Sequence, residues 1–340
     1  MVTIKTIAEL CGISRGTVDR VLHGRGNVKP ETEELVHQMA TQLGYTPNPA
    51  GKALAARKHR PVVGVLLASE GNPFFDDVIR GIKKAAESYH IYGLKMLWQT
   101  MKGYNVEKQL QLINRLQSHI NALIITPIND SRIAAKLDEL VAAGILVVTL
   151  NNDIENSQRH CYVGSDYVNG GETAGALFSL LMRKNEQVAM GIVQGNGHIL
   201  GHRQRLEGFQ RRMAALPTVH ICSMVENEDD EICSYERTRE MLLKHPEINA
   251  LFIIAGGVYG ACRAVLSLER RQPLTVLAFD SVPSTVEMMK KGVIQAIIYQ
   301  HPYRQGHKAM DIVFESLVNG IMPPHSVYLL KNEIKLIENL

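Results

Sequence analysis

The residues best placed to do chemistry lie near the N-terminus, between apolar residues with helical spacing. Val18, Val21 and Leu22 would form the buried side of a short helix, and Ser14 is a good N-cap for it. The residues between them would form its exposed face: Arg15, Gly16, Thr17, Asp19 and Arg20. Guanidinium and hydroxyl groups on such a face suit a helix that enters the major groove of DNA.

Two further helices are needed to hold that face in place. A preceding helix is predicted to end at Gly12, in a tight turn, and a third helix is predicted to begin at Pro30 and end at Gly44. The apolar residues on their inner sides are Ile4, Ile7, Ala8 and Leu10, and Val36, Met39, Ala40 and Leu43. This order of helix, turn and helix is that of a helix-turn-helix.

Positive charge is concentrated in the same part of the chain. Residues 1–60 contain nine Lys or Arg against five Asp or Glu, whereas the rest of the chain contains 28 against 29. A basic segment that carries a helix-turn-helix is the expected footprint of a protein that binds a phosphate backbone.

Length and composition limit the remaining possibilities. A chain of 340 residues with 45% hydrophobic content suits two or three globular domains. The five cysteines form no CxxC pair, and their odd number argues against a disulfide framework. The sequence begins with no secretory signal and contains no apolar run of membrane-spanning length, so we expect a cytoplasmic protein without a membrane partner.

From Pro61 onward, apolar strands alternate with amphipathic helices, and the pattern restarts near Gly171. Continuous Val, Ile and Leu strands between helices indicate parallel sheets that are covered on both faces. The repetition predicts two successive α/β lobes, and a helix at 303–317 is expected to cross back to the first lobe.

The N-terminal unit resembles the LacI family of bacterial repressors. The matching stretches are Cys11-Gly12-Ile13-Ser14, Thr17-Val18-x-Arg20-Val21-Leu22 and Gly44-Tyr45-x-Pro47-Asn48. Residues 61–335 resemble the sensor domains of that family and the periplasmic sugar receptors of the ribose type. Stretches specific in combination are Asn72-Pro-Phe-Phe75, Val148-Thr-Leu-Asn-Asn152, Val163-Gly-Ser-Asp166, Arg203-x-Arg-Leu-Glu-Gly208-Phe209, Ala278-Phe-Asp280 and Gln300-x-Pro302.

The resemblance implies an all-α helix-turn-helix head over residues 1–46, a hinge over 47–60 and a two-lobed sensor domain of the periplasmic-binding-protein type 1 fold, with parallel sheets, over 61–340. We expect lobe one to comprise about 61–166 and 301–325, and lobe two about 167–300 and 326–340. The ligand would lie between the lobes, at the carboxyl ends of the strands.

The resemblance also implies which residues contact DNA: Thr3, Ser14, Arg15, Gly16, Thr17, Asp19, Arg20, His23, Asn48, Leu54 and Arg57. Leu54 matches the leucine of a hinge helix that folds when two subunits pair on DNA and that wedges into the minor groove. The alternative is a plain linker with an incidental leucine. Asp19 departs from the small hydroxyl residue usual in the family.

Carried over by position, the ligand-binding residues are Asn72, Phe74, Phe75, Asn151, Asn152, Arg203, Asp280 and Gln300. The polar groups would hydrogen-bond hydroxyls, and the rings would stack on a sugar. Structural alternatives stay open for several of them: a core position for the phenylalanines, a turn or N-cap for Asp280, turns for Asn151 and Asn152, and a surface ion pair for Arg203.

Two departures argue against ribose itself as the ligand. Asn151-Asn152 replaces the Asp-Arg pair of the ribose-type receptors, and Ala255-Gly256-Gly257 replaces their Asn-Asp. A hexose, a polyol, a pentose and a sugar phosphate all remain compatible with the sequence.

The predicted function is a ligand-responsive repressor of carbohydrate genes that binds a pseudo-palindromic DNA operator as a homodimer. No leucine heptads follow residue 330, which favours a dimer over a tetramer. The alternatives are a corepressor-dependent regulator of a non-sugar metabolite such as a purine, and a solute receptor. The sequence contains no GxSxG, HExxH, P-loop or GxGxxG motif, so we expect no enzyme, no catalytic residues, no cofactor and no metal.

Overall fold

The computed structural model describes residues 2–22, 26–45, 53, 56–57, 60–182, 187–197, 199–269 and 274–340. The head contains helices α1 (Ile4–Cys11), α2 (Arg15–Leu22) and α3 (Pro30–Gln42). Ile7, Val18 and Val36 are fully buried at the centre of its core. Gly12 ends α1 in the left-handed conformation, with φ of 67°, as its position in the sequence predicted.

The first lobe is built on one sheet, with its strands in the order β11-β5-β4-β3-β1-β2, all of them parallel. The strands are β1 (Val62–Leu67), β2 (Lys95–Thr100), β3 (Ala122–Ile125), β4 (Leu146–Leu150), β5 (Cys161–Ser165) and β11 (Val327–Leu330). Its helices are α4 (Phe74–Ser88), α5 (Val106–Gln117) and α6 (Ser131–Ala142), together with α12 (Pro302–Asn319), which packs against α4.

The second lobe repeats this design in the order β12-β10-β9-β8-β6-β7, in which only β12 runs antiparallel, to β10. The strands are β6 (Val188–Gln194), β7 (Val219–Glu226), β8 (Ala250–Ile253), β9 (Thr275–Phe279), β10 (Ala296–Tyr299) and β12 (Glu333–Lys335). The helices are α7 (Tyr167–Leu181), α8 (Leu200–Met213), α9 (Glu231–Lys244), α10 (Val258–Leu266) and α11 (Pro283–Lys290).

The strands are apolar on both sides because both faces of each sheet are covered. In β1, Val63 and Val65 belong to one core cluster and Leu66 to another, and all three are fully buried. The predicted α/β architecture with two parallel sheets is therefore confirmed. Within the described ranges, no helix is long and apolar enough to span a bilayer.

The chain passes between the lobes three times, after β5, after β10 and after β11. The last passage corrects the predicted lobe boundary: residues 327–330 were placed in the second lobe, but they pair with β5 in the first. Only β12 belongs to the second sheet. The sequence of the four-residue strand β11, in which exposed and half-buried residues alternate, does not indicate which sheet the strand joins. That choice depends on pairing with β5, which is distant in sequence.

The strands that precede the three passages, β5, β10 and β11, lie at or next to one edge of their sheet. The opposite edges are formed by β2 and β7. The carboxyl ends of the parallel strands of both lobes meet across the cleft between them. The cleft thus has a hinge side, near β5 and β10, and an outer side, near β2 and β7.

The close packing of α7 against α8 in the second lobe depends on a glycine in each helix. A Cβ at Gly208 of α8 would lie 2.0 Å from the Val168 carbonyl oxygen of α7, and one at Gly171 would lie 2.0 Å from the Arg205 carbonyl oxygen. The two helices therefore approach backbone to backbone, and this contact fixes where α8 presents its side chains.

We expect Gly208→Ala to lower the free energy of unfolding by ~1–3 kcal/mol, because the added methyl overpacks the α7–α8 contact. A urea titration measures the change. Gly197→Ala is the matched control, since the nearest heavy atom to its Cβ would be 3.7 Å away. Equal midpoints for the two variants would contradict the prediction.

Candidate functional site

The head presents a polar face on α2. Ser14 Oγ accepts a hydrogen bond from the Thr17 backbone N–H at 3.1 Å, which confirms the predicted N-cap. Arg15, Gly16 and Arg20 are exposed, and Arg20 lies back along the helix, with Nε donating to the Gly16 carbonyl at 3.3 Å. The arrangement leaves Arg15 at the start of the helix and Arg20 more than one turn further along, and both side chains are exposed.

Other predicted DNA contacts have structural partners within the protein. The Thr3 hydroxyl caps α1 by accepting from the Thr6 N–H at 3.2 Å. Asp19 is half-buried, and its charge, after the larger effect of burial, helps to raise the pKa of Tyr45. Arg57 Nε donates to the Ile91 carbonyl of the first lobe at 2.8 Å. As DNA contacts these residues stay predictions. His23, Asn48 and Leu54 lie outside the described residues.

A cavity lies between the two lobes at the carboxyl ends of their strands. The first lobe contributes Ala68, Asn72, Phe74, Phe75, Tyr104, Thr126, Pro127, Ile128, Asn151 and Asn152. The second contributes Tyr167, Ile199, His202, Arg205, Asp229, Gly256, Asp280 and Gln300. Seven of the eight predicted ligand residues are brought together here, and Arg203 is the exception.

The start of α4 supplies the aromatic wall. Asn72 Oδ1 accepts from the Phe74 N–H at 3.1 Å, which fixes the turn that opens the helix and leaves the amide NH2 as the group available to a ligand. Phe74 and Phe75 meet edge to face, with centroids 5.4 Å apart. Each is only 5% exposed, so they belong to the core and to the cavity wall at once.

Asn151 closes the hinge side through its backbone as well as its side chain. With φ of 63°, its carbonyl accepts from the hydroxyls of Tyr162 at 2.7 Å and Tyr167 at 2.6 Å. Its Nδ2 donates to Gln305 at 3.3 Å, and its Oδ1 accepts from Asn152. The turn alternative is therefore correct for its backbone, while the Asn151–Asn152 pair also lines the cavity.

Arg205, from α8, is the buried cation of the site. It is 4% exposed, and its guanidinium lies over the rings of Phe279, 3.8 Å from the centroid, and Tyr167, 4.8 Å from the centroid. Nη1 donates to the Ile254 carbonyl at 2.5 Å. Two aromatic faces and one carbonyl hold the planar group in a single orientation.

Asp280 follows β9 in the left-handed conformation, with φ of 68°, and its Oδ1 accepts from Gln300 Nε2 at 2.7 Å. The N-cap alternative is excluded, since the N-cap position of α11 is Val282. Burial raises the pKa of Asp280 to about 6, against the opposing effects of the Arg205 charge and the Gln300 hydrogen bond. A carboxylate is thus held in the cavity beside a buried guanidinium.

Three buried polar atoms of the cavity-lining residues find no hydrogen-bond partner within the part of the chain that the structure describes. They are Thr126 Oγ1, Arg205 Nε and Gln300 Oε1. One is a donor, one an acceptor and one can be both. Leaving such atoms unpaired costs about 1–3 kcal/mol each, so a ligand carrying hydroxyls, which donate and accept, would recover that free energy.

Comparison of the sequence with models of known protein families identifies the family to which this architecture belongs. Residues 3–48 match the family model "Bacterial regulatory proteins, lacI family", and residues 63–320 match "Periplasmic binding protein domain". The chain belongs to the LacI family.

Relatives that cover most of this LacI-family chain include catabolite control protein A of Priestia megaterium, which is 26% identical over 92% of this chain and 91% of its own length. The ribose operon repressor of Halalkalibacterium halodurans is 27% identical over 83% of this chain and 81% of its own length. A head of this family on a periplasmic-binding-protein domain makes the chain a ligand-responsive, DNA-binding transcriptional regulator.

Among solved structures, the sensor domain of this regulator is similar to a transporter solute-binding protein of Burkholderia graminis, with a TM-score of 0.76 and 24% identity over 82% of this chain and 96% of that one. It is also similar to the glucose-galactose binding protein GanP of Geobacillus stearothermophilus, with a TM-score of 0.75 and 23% identity over 82% and 99%. These likenesses show the fold.

The structure does not bring Arg203, predicted as a ligand residue of this LacI-family protein, into the cavity. Its Nη2 pairs with Glu155 of the first lobe at 2.8 Å, and both side chains are 52% exposed. Two residues along a helix rotate a side chain by about 200°, so Arg203 and Arg205 point to opposite sides of α8. The buried positions of α8 include Gly201, Arg205, Gly208 and Phe209, so helical spacing favours Arg205 as the inward-facing residue.

Sequence reasoning also missed the outer side of the cavity. Asp230 caps α9, and its neighbour Asp229 lines the cavity. Asp229 Oδ1 accepts from the Gly256 N–H at 2.6 Å, and its Oδ2 accepts from the Tyr104 hydroxyl. Tyr104 follows β2 and Asp229 follows β7, so this bond joins the lobes across the cleft. No spacing rule connects two residues 125 apart.

The raised pKa of Asp280 gives the stability of the protein a testable pH dependence. Because the folded-state pKa of about 6 lies above the usual 3.8, the folded chain holds this proton more tightly than the unfolded chain. The contribution of Asp280 to stability therefore falls as pH rises from about 4 to about 6 and is constant above that. Urea midpoints of the wild type and of Asp280→Asn, measured at pH 4.5 and 6.5, isolate this contribution. If the midpoint changed by the same amount between the two pH values in both proteins, the prediction would be refuted.

Proposed function

We propose that this LacI-family regulator represses carbohydrate genes as a dimer on a pseudo-palindromic operator and is released by a small sugar or polyol bound between its lobes. The observation that carries the proposal is a set of three buried polar atoms of cavity-lining residues that have no hydrogen-bond partner among the described residues: Thr126 Oγ1, Arg205 Nε and Gln300 Oε1. They lie with the Asp280 carboxylate and two phenylalanine rings in one enclosed site.

This set matches the chemistry of a polyhydroxylated molecule. Hydroxyls donate to Asp280 and accept from Arg205, and the apolar face of a sugar packs on aromatic rings. The relatives support the same class of ligand and target: two of them are named ribose operon repressors, and the Burkholderia graminis protein was solved with D-arabinose bound. No catalytic role for this site is proposed.

The switch requires a difference in affinity between two states. Two heads are needed to read the two half-sites of a symmetric operator. The effector acts only if it binds the DNA-free conformation more tightly than the operator-bound one. Closure of the lobes around the ligand supplies that difference, since both lobes contribute to the cavity. A cytoplasmic location follows from the proposed target.

Operator release by a sugar is the direct test. The operator is first isolated by selection from random duplexes, and labelled operator is then titrated with protein in the presence of sugars and polyols, with fluorescence anisotropy as the readout. We expect at least one of them to lower operator affinity. A compound that binds the cavity but raises operator affinity would make the protein a corepressor-dependent regulator instead.

A further inference from the structure

The described residues that line the cavity carry more negative than positive charge. Among the described residues that line it, two are carboxylates, Asp229 and Asp280, and one is a guanidinium, that of Arg205. In the same described set, the remaining titratable base is His202, whose Nε2 lies 3.8 Å from Asp229 Oδ1. Burial lowers the pKa of His202, which keeps its ring neutral near pH 7.

Two cations at the rim, Arg203 and Lys102, already have acidic partners. Arg203 pairs with Glu155 at 2.8 Å, and Lys102 lies 3.8 Å from Asp230. Arg205 itself donates to the Ile254 carbonyl and is covered by two rings. A carboxylate or phosphate brought into this cavity would therefore add a third anion in a desolvated site, and the one guanidinium there already lies near Asp280.

The size of the site is limited at both ends. The hinge side is closed by Asn151, whose amide bonds to Gln305. The outer side is closed where the Tyr104 hydroxyl from the first lobe donates to Asp229 of the second. A second sugar ring extending in either direction would have to break one of these contacts.

We propose that the effector is an uncharged polyhydroxy molecule of one ring or of equivalent open-chain length, and that Asp229 and Asp280 select against uronates, sugar phosphates and disaccharides. This inference rests on the proposed function and narrows its ligand class. Neutral hydroxyls satisfy Asp280, Arg205 and Gln300 without adding charge. An anionic analogue of the same shape would meet both carboxylates at short range, where repulsion is little screened.

The experiment compares matched neutral and anionic probes on the full-length protein without DNA. Isothermal titration calorimetry at pH 7.5 and low salt measures Kd for glucose, galactose, xylose, ribose and myo-inositol, for glucuronate, galacturonate and glucose 6-phosphate, and for the disaccharides lactose and maltose. We expect the tightest binder to be neutral and of one ring, and its anionic counterparts to bind at least 10-fold more weakly.

Asp229→Asn should narrow that ratio, because one of the two repelling charges is removed while the amide oxygen can still accept from the Gly256 N–H and the amide NH2 can donate to the Tyr104 hydroxyl oxygen. Asp230→Asn is the matched control: it removes the neighbouring carboxylate outside the cavity and keeps a good N-cap, so the ratio should stay at the wild-type value. Melting temperatures establish that both variants are folded. The ratio measured with the wild type tests the inference even if a variant does not fold.

Equal or tighter binding of an anionic or disaccharide probe by the wild type overturns the inference, as does a panel in which no neutral one-ring compound binds. Operator release is not part of this readout. A sugar that binds as expected but leaves operator affinity unchanged would overturn the proposed function. The inference that the cavity selects neutral over anionic ligands would still hold.

Discussion

Replacing Arg205 with methionine should weaken effector binding by about 10- to 150-fold and leave operator binding intact. A hydrogen bond to a charged group contributes roughly 1.5–3 kcal/mol, and each 1.4 kcal/mol is tenfold in affinity. Methionine keeps the length and apolar stem of the side chain, so the loss falls on the guanidinium that lies between Phe279 and Tyr167. Calorimetry with the sugar identified as effector measures the change in effector affinity. Fluorescence anisotropy with labelled operator measures whether the head still binds DNA with wild-type affinity.

Arg203→Met is the control for that experiment, on the same helix and two residues away. Its exposed ion pair with Glu155 contributes only about 0–1 kcal/mol, which is less than about fivefold in affinity. The two variants together separate a ligand contact from a rim contact. If Arg203→Met lost more affinity than Arg205→Met, the cavity described above would not be the effector site.

A second large effect is expected in the head. Arg15→Ala should change the preferred operator sequence at one base-pair position in each half-site, at a cost of about 1–3 kcal/mol there. Arg15 is exposed at the start of α2, where a guanidinium can reach a base edge once the helix lies in the major groove. Selection of binding sites from a randomised library, read by sequencing, compares the variant with the wild type.

Lys5→Ala provides the comparison for Arg15. Lys5 is exposed on α1, where it pairs with Glu9 at 3.8 Å. A contact from that helix would reach the phosphate backbone, so its loss should weaken all sequences alike and leave the preference unchanged. An unchanged preference in Arg15→Ala as well would remove Arg15 from base recognition.

Much of the site could be located from the sequence because the fold turns local pattern into position. Asn72, Asn151 and Asp280 follow predicted strands, and the carboxyl ends of parallel strands meet at one edge, so their convergence was predictable. The head was predictable for a similar reason. Gly12, Ser14 and the apolar residues of α2 act within a few residues of one another.

Tertiary structure decided the features that depend on distant pairing or on fine rotation. Arg205, and not Arg203, lines the cavity because the packing of α8 against α7, through Gly171 and Gly208, fixes which side of the helix faces it. Tyr104 and Asp229 meet because two edge strands of different sheets end on the same side of the cleft. The sequence alone thus determined the head, the two lobes and the class of site, through patterns within single elements. The cation that enters the cavity and the bond that closes it across the lobes follow only from how those elements pack.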